Sequence, residues 1–282
     1  MTARAAVVAA AAAAVLGACA GQAPRTEGEY RREQLAQSHQ RGADALLRGE
    51  PGRALRHYQV ALDNARVAGN QQAIAVNLLN IAAILHRAGE SEAARERLVQ
   101  VVEHEPPFGA AHLGRAEARL ALIELQAQRN AEAARHAARA ETLCAAQCAW
   151  RPALLNVQAA IAARSGDASA AEARAREALA AATGAGDAAE QAGAWRILAE
   201  LAAALGRGDE ARKAWSAALD IDTRVEAPER VALDLLGLAR LEQALGDRAA
   251  ARRYARRAQE VADAARLGAL AGAARDLLRE TE

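Results

Sequence analysis

Gly206-Arg-Gly-Asp-Glu-Ala211 returns 40 residues later as Gly246-Asp-Arg-Ala-Ala-Ala251, and four blocks of the same cast precede the pair. They are Gly49-Glu-Pro-Gly-Arg-Ala54, Gly89-Glu-Ser-Glu-Ala-Ala94, Arg129-Asn-Ala-Glu-Ala-Ala134 and Gly166-Asp-Ala-Ser-Ala-Ala171, so successive starts stand 40, 40, 37, 40 and 40 residues apart. A recurrence of that length marks a stack of repeats, in which each unit buries its apolar face only against its neighbours.

Helical periodicity flanks each block. Ile74, Leu78, Ile81, Ala82 and Leu85 form one stripe before a block, as do Leu113, Ala116, Leu120, Ile123 and Leu125. Leu55, Tyr58, Ala61 and Leu62 share a stripe after one, as do Trp215, Ala218 and Leu219, with Arg, Glu, Gln and Asp filling most intervening positions. The block itself reads as a turn. Gly tolerates the left-handed conformation that closes a helix, and the acidic or hydroxyl side chain beside it favours the start of the next.

Alanine takes the sixth place of every block. Small residues also occur about twelve positions earlier (Ala82, Ala162, Ala202, Ala239) and seven later (Ala61, Ala178, Ala218, Ala258). With a bulky residue four places after the Ala (Tyr58, Leu98, Trp215), the chain resembles the tetratricopeptide repeat family over residues 33–265. Sel1-type and HEAT-type repeats are the competing assignments, but the Sel1-like Tyr-Gly turn and a regular mid-helix Pro are both missing. The resemblance implies an all-α, right-handed α-solenoid of about six helical hairpins, with 266–282 as a C-terminal capping helix. Three departures stand out. A 40-residue spacing exceeds the family's usual ~34, which calls for longer helices or longer joints. The third block lacks its Gly, and Ala175 replaces the bulky residue of the fourth, which predicts looser packing there. Proline marks the joints at Pro106, Pro107, Pro152 and Pro228, where it opens helices.

The amino terminus points to export. Arg4 precedes an apolar run from Ala5 to Leu16, too short for a lasting membrane span. Leu16-Gly-Ala-Cys19 resembles the lipobox of bacterial lipoproteins, which implies a signal peptide over 1–18 and a lipid on Cys19; Ala18-Cys-Ala20 also fits an ordinary secretory cleavage site. Ala20, in place of the Asp that retains such proteins at the inner membrane, implies the outer membrane, periplasmic face. Residues 19–32 read as a flexible tether.

The signal removes only Arg4, so 36 basic residues fall to 35 and match 35 acidic ones. Near-zero net charge argues against nucleic acid and against a polybasic membrane-binding segment, and Arg252-Arg-Tyr-Ala-Arg-Arg257 reads as a solvated helix face. Cys144 and Cys148 are expected to form a disulfide in an oxidising compartment; two small buried thiols on one helix face are the alternative.

No phosphate loop, metal-binding His pair or nucleophile elbow is found, so neither enzyme activity, nor a cofactor, nor a metal is expected. In the resembled family the first helix of each hairpin lines a concave groove. Counting fifteen residues back from each block Ala gives His39, Leu79, Arg119, Asn156, Arg196 and Leu236, and Asn80, Glu200 and Arg240 lie nearby. The expected groove residues are His39, Asn80, Arg119, Asn156, Arg196, Glu200 and Arg240, with Arg119, Asn156, Arg196 and Arg240 gripping a peptide's acidic groups and backbone. The functional expectation is a lipid-anchored scaffold that binds a protein or peptide and serves pilus, secretion or outer-membrane assembly. The alternative is a regulator of peptidoglycan-metabolising enzymes.

Overall fold

In a computed structural model, residues 26–104, 107–144 and 148–281 are described; the lipobox and Cys19 lie outside them. Thirteen helices and no strand occur among the described residues. In order they are α1 (Glu27–Leu47), α2 (Pro51–Val67), α3 (Gln71–Arg87), α4 (Ser91–Val102), α5 (Ala110–Gln126), α6 (Asn130–Leu143), α7 (Arg151–Arg164), α8 (Ala168–Ala185), α9 (Ala188–Ala204), α10 (Gly208–Arg224), α11 (Pro228–Leu245), α12 (Arg248–Ala264) and α13 (Gly268–Glu280). They divide into two compact units, one ending at Ile84 and one beginning at Leu85. In the first, α1 packs on α2; in the second, α5 packs on α6, α7 on α8, α9 on α10 and α11 on α12, with α13 against α12.

Each block lies between two helices, and its chemistry is a left-handed closure. The residue in that conformation is Gly49, Gly89, Gly166, Gly206 and Gly246 in five blocks, but Gln128 (φ 62°) in the third. The following residue caps the next helix and donates its N–H to the carbonyl five residues back, as Asp247 does to Glu242 and Arg129 does to Glu124. This corrects the third block by one position. Its buried alanine is Ala133 (0% exposed), whereas Ala134 faces solvent. The joints between blocks use the same device, with Gly69, Gly186, Glu226 and Arg266 at positive φ. From Gly166 onward the left-handed residues are 166, 186, 206, 226, 246 and 266, so the chain repeats every 20 residues as helix plus short joint. Helices of 17 or 18 residues, not long joints, account for the 40-residue spacing there.

Small residues fix the helix spacing. Ala54, Ala94, Ala133, Ala171, Ala211 and Ala251 are wholly buried, as are Ala61, Val101, Ala140, Ala178, Ala218 and Ala258 seven places on. Twelve places before each block alanine stand Gly42, Ala82, Ala121, Ala159, Ala199 and Ala239, all buried. Ala159 and Ala199, not Ala162 and Ala202, hold that register. The bulky residue seats on bare backbone: a Cβ added to Gly42 would stand 2.9 Å from the Tyr58 ring, and one on Gly237 would stand 2.5 Å from the Trp215 indole. Ala175 is itself fully buried, so its small side chain is covered.

The expected tether of residues 19–32 is helical over its last six residues, and 19–25 lie outside the described residues. Thr26 caps α1 in a reciprocal capping box with Glu29, and Arg31 reaches Glu27 one turn back at 2.6 Å, so the segment from Glu27 to residue 32 is helix. The Cys144 and Cys148 sulfurs are paired as a disulfide, with Cα atoms 5.3 Å apart across the joint from α6 to α7, inside the range a bridge spans.

Candidate functional site

Position fifteen before the block alanine is where one first helix meets the next, and its polar side chains are spent on that neighbour. His39 of α1 shares a hydrogen bond of 3.1 Å with the Asn77 amide of α3, and Arg196 of α9 donates through Nε to Asp234 of α11 at 2.6 Å. Both pairs lie 38 residues apart, the repeat length less two. Asn156 of α7 donates to the Glu190 carbonyl at 3.0 Å and to its carboxylate at 2.8 Å. Arg119 entered the expected groove through the one-residue error in the third block; its true counterpart is Ala118, buried against Leu154. Burial, with Arg115 and Arg87 close by, draws the Arg119 guanidinium down to about 10. Asn80 is half-buried on α3.

Around Arg196 four charges converge. Its guanidinium also donates to Asp222 of α10, and Arg230 of α11 lies 2.7 Å from the same carboxylate. Asp222 and Asp234 are wholly buried. Burial pushes the Asp234 carboxyl up to about 6, with Arg196 pulling it down and Asp222 pushing the same way as burial.

Three of the residues expected in the groove do line one cleft of about 640 Å³: Arg196, Glu200 and Arg240. Its floor is Trp215 on Gly237, and its rim carries Leu233 and Leu245, which are 42% and 48% exposed. Glu200 and Arg240 have no hydrogen bond or ion pair among the described residues. Partial burial raises the Glu200 carboxyl, while Arg196, Arg164 and Arg240 act against the rise. With Arg196 neutralised from behind, the cleft presents one carboxylate, one guanidinium and two apolar side chains.

The sequence reading passed over the buried carboxylates that tie successive units. Arg95 on α4 reaches Glu124 on α5 at 2.7 Å, and Arg212 on α10 grips Glu242 on α11 at 2.6 and 3.0 Å. In both pairs the Arg directly follows a block alanine and the Glu stands nine before the next one. That register was present in the sequence once the third block is aligned correctly. His136 is bonded to buried Glu117 at 2.5 Å. Among the described residues no group of three or more His, Cys, Asp or Glu is placed to hold a metal, and no helix is long and apolar enough to cross a membrane.

Residues 190–264, from α9 to the end of α12, match the tetratricopeptide repeat family model. The fold is of that type. A chain of the APC/C hetero-tetramer Cut9–Hcn1 superposes with a TM-score of 0.67 at 16% identity, covering 89% of this chain, which spans 42% of the length of that one. PilW, described as a widely conserved type IV pilus biogenesis factor, gives 0.55 at 19% identity over 80% of this chain and 92% of its own. A Rap protein complexed with competence and sporulation factor gives 0.61 at 14% identity, over 88% and 74%. These likenesses concern the fold. No curated protein matches the chain in sequence.

Proposed function

We propose that this chain is a non-enzymatic scaffold whose α9–α11 cleft binds a segment of a partner protein. The observation that carries the reading is the cleft's composition: exposed Leu233 and Leu245 beside Glu200 and Arg240, which make no hydrogen bond or ion pair among the described residues. Binding hot spots favour Trp and Arg seated in a pocket, and Trp215 and Arg240 both line this one. The ligand this chemistry suits carries an apolar side chain flanked by a basic group for Glu200 and an acidic one for Arg240. The proposed location is the outer membrane, periplasmic face, through lipid on Cys19, supported by the Ala5–Leu16 run and Leu16-Gly-Ala-Cys19. The proposed task is recruiting or stabilising a component of pilus, secretion or outer-membrane assembly, a role for which PilW offers a parallel on the same kind of fold.

Photo-crosslinking in cells tests both parts. A crosslinker at Leu233 should give a discrete adduct that Arg240→Glu abolishes, and labelled palmitate should enter the wild type but not Cys19→Ala. Loss of the adduct alone would remove the cleft; loss of the label alone would remove the anchor.

A further inference from the structure

Helix α12 carries its charges against its own stability. Residues 248–258 hold five arginines and no carboxylate, at Arg248, Arg252, Arg253, Arg256 and Arg257, and the acidic Glu260 and Asp263 stand in the closing turns. Asp247 caps the start of α12 by accepting from the Ala250 N–H; beyond that cap the charges run opposite to the anions-first, cations-last order that stabilises a helix. Arg248 with Arg252, Arg252 with Arg256, and Arg253 with Arg257 are also like charges one turn apart, each pairing unfavourable. On α8 and α10, by contrast, Arg176 pairs with Glu172, Arg174 with Glu177 and Arg212 with Asp209. Among the described residues, Arg252 on α12 bonds only the Thr281 carbonyl at 3.3 Å, while Arg248, Arg253, Arg256 and Arg257 are exposed and make no ion pair.

We infer that the exposed face of α12 docks on an anionic phospholipid surface. The buried stripe of Ala251, Ala255, Ala258 and Ala262 turns Arg253, Arg256 and Arg257 to the opposite side of the helix, while Arg248 and Arg252 flank the stripe. None of the large exposed apolar side chains belongs to α12 or α13, so the face lacks the anchor that a peptide partner requires. A headgroup layer needs no anchor, because its attraction for arginine accumulates charge by charge. Near-zero net charge conceals this face, where Arg253, Arg256 and Arg257 stand against one carboxylate, Glu260. The inference is independent of the cleft and of lipid on Cys19.

Full-length chain is mixed with vesicles of phosphatidylcholine alone or with phosphatidylglycerol added, and sedimented. The wild type should favour the anionic vesicles, and salt should erase the preference within the range where screening becomes short. At about fivefold per guanidinium, the triple variant Arg253→Gln, Arg256→Gln, Arg257→Gln should bind them roughly a hundredfold more weakly. Its thermal midpoint should equal or exceed the wild type's, because like-charge repulsion is relieved. Equal binding to both vesicle types, an unchanged triple variant, or binding to a DNA oligonucleotide in place of vesicles would overturn the inference.

Discussion

Two first-helix seams in this molecule share one register and use opposite chemistry. At His39 and Asn77 the contact is a neutral hydrogen bond beside an edge-on Tyr58 ring, 5.3 Å between centroids. At Arg196 and Asp234 the same two positions carry full charges, joined by Asp222 and Arg230. Backbone register decides that these positions meet; the side chains decide how much the meeting costs. A neutral pair leaves little stranded when one member goes, whereas a buried charge that loses its partner is left without solvent.

The largest break in the comparison comes from Arg196→Ala. It leaves the wholly buried Asp222 and Asp234 with Arg230 alone, and breaking such a group by removing one partner costs about 3–5 kcal/mol. Urea unfolding should show that loss, and Arg196→Lys should recover only part of it, because one ammonium cannot address both carboxylates as the planar fork does. A loss no larger than that of a surface substitution would mean that Arg196 is solvated and the seam is not ionic.

A subtler change sharpens the contrast. Asp234→Asn gives the ionic seam the side-chain type that Asn77 supplies in the neutral one. The Asp234 carboxyl is raised from 3.8 to about 6, so between those values the folded chain holds a proton that the unfolded chain has released. Stability from this group therefore increases as pH falls through that window. Glu190 and Glu200, both raised chiefly by burial, act in the same direction. Glu172 and Glu177 are lowered, first by hydrogen bonds from Arg207 and Arg151 respectively, and Glu124 is lowered because bonds from Arg129 and Arg95 outweigh its burial. The stability these three contribute is lost only below the ordinary 4.5. His86 and His112, lowered chiefly by burial, act the other way as pH falls below 6.5, so the readout is a difference between two chains: from about pH 6 to 4.5 the wild type should gain stability relative to Asp234→Asn, which should show no loss at pH 7. Thermal melts of both chains across that range decide it; a difference between them that stays constant from pH 7 to 4.5 would refute the assignment.

The sequence made the helices, six turns and buried alanines legible because each depends on local chemistry: Gly at positive φ, an acidic neighbour, a small residue at a close contact. The hidden parts needed either a register or a partner. Gln128 takes the left-handed place without being Gly, which displaced the third block by one residue and put Arg119 where Ala118 belongs. Glu226 and Arg266 likewise mask the 20-residue period. The seams were out of reach for a different reason. A polar residue on a first helix reads as groove lining until its partner 38 positions away is known, and Asn77 and Asp234 carry no mark of pairing in isolation.

The smallest expected effect belongs to the neutral seam. His39→Phe keeps an aromatic ring against Tyr58 and removes the ring nitrogen that meets Asn77, whose amide still donates to the Ala73 carbonyl at 2.8 Å. Only the Asn77 carbonyl oxygen loses its partner, so the cost should be about 1 kcal/mol, several times less than Arg196→Ala in the same urea assay. If the two substitutions cost the same, register alone would set the strength of a seam and its chemistry would be incidental. A clear gap between them would establish that one backbone position carries weak coupling in one pair of hairpins and strong coupling in another.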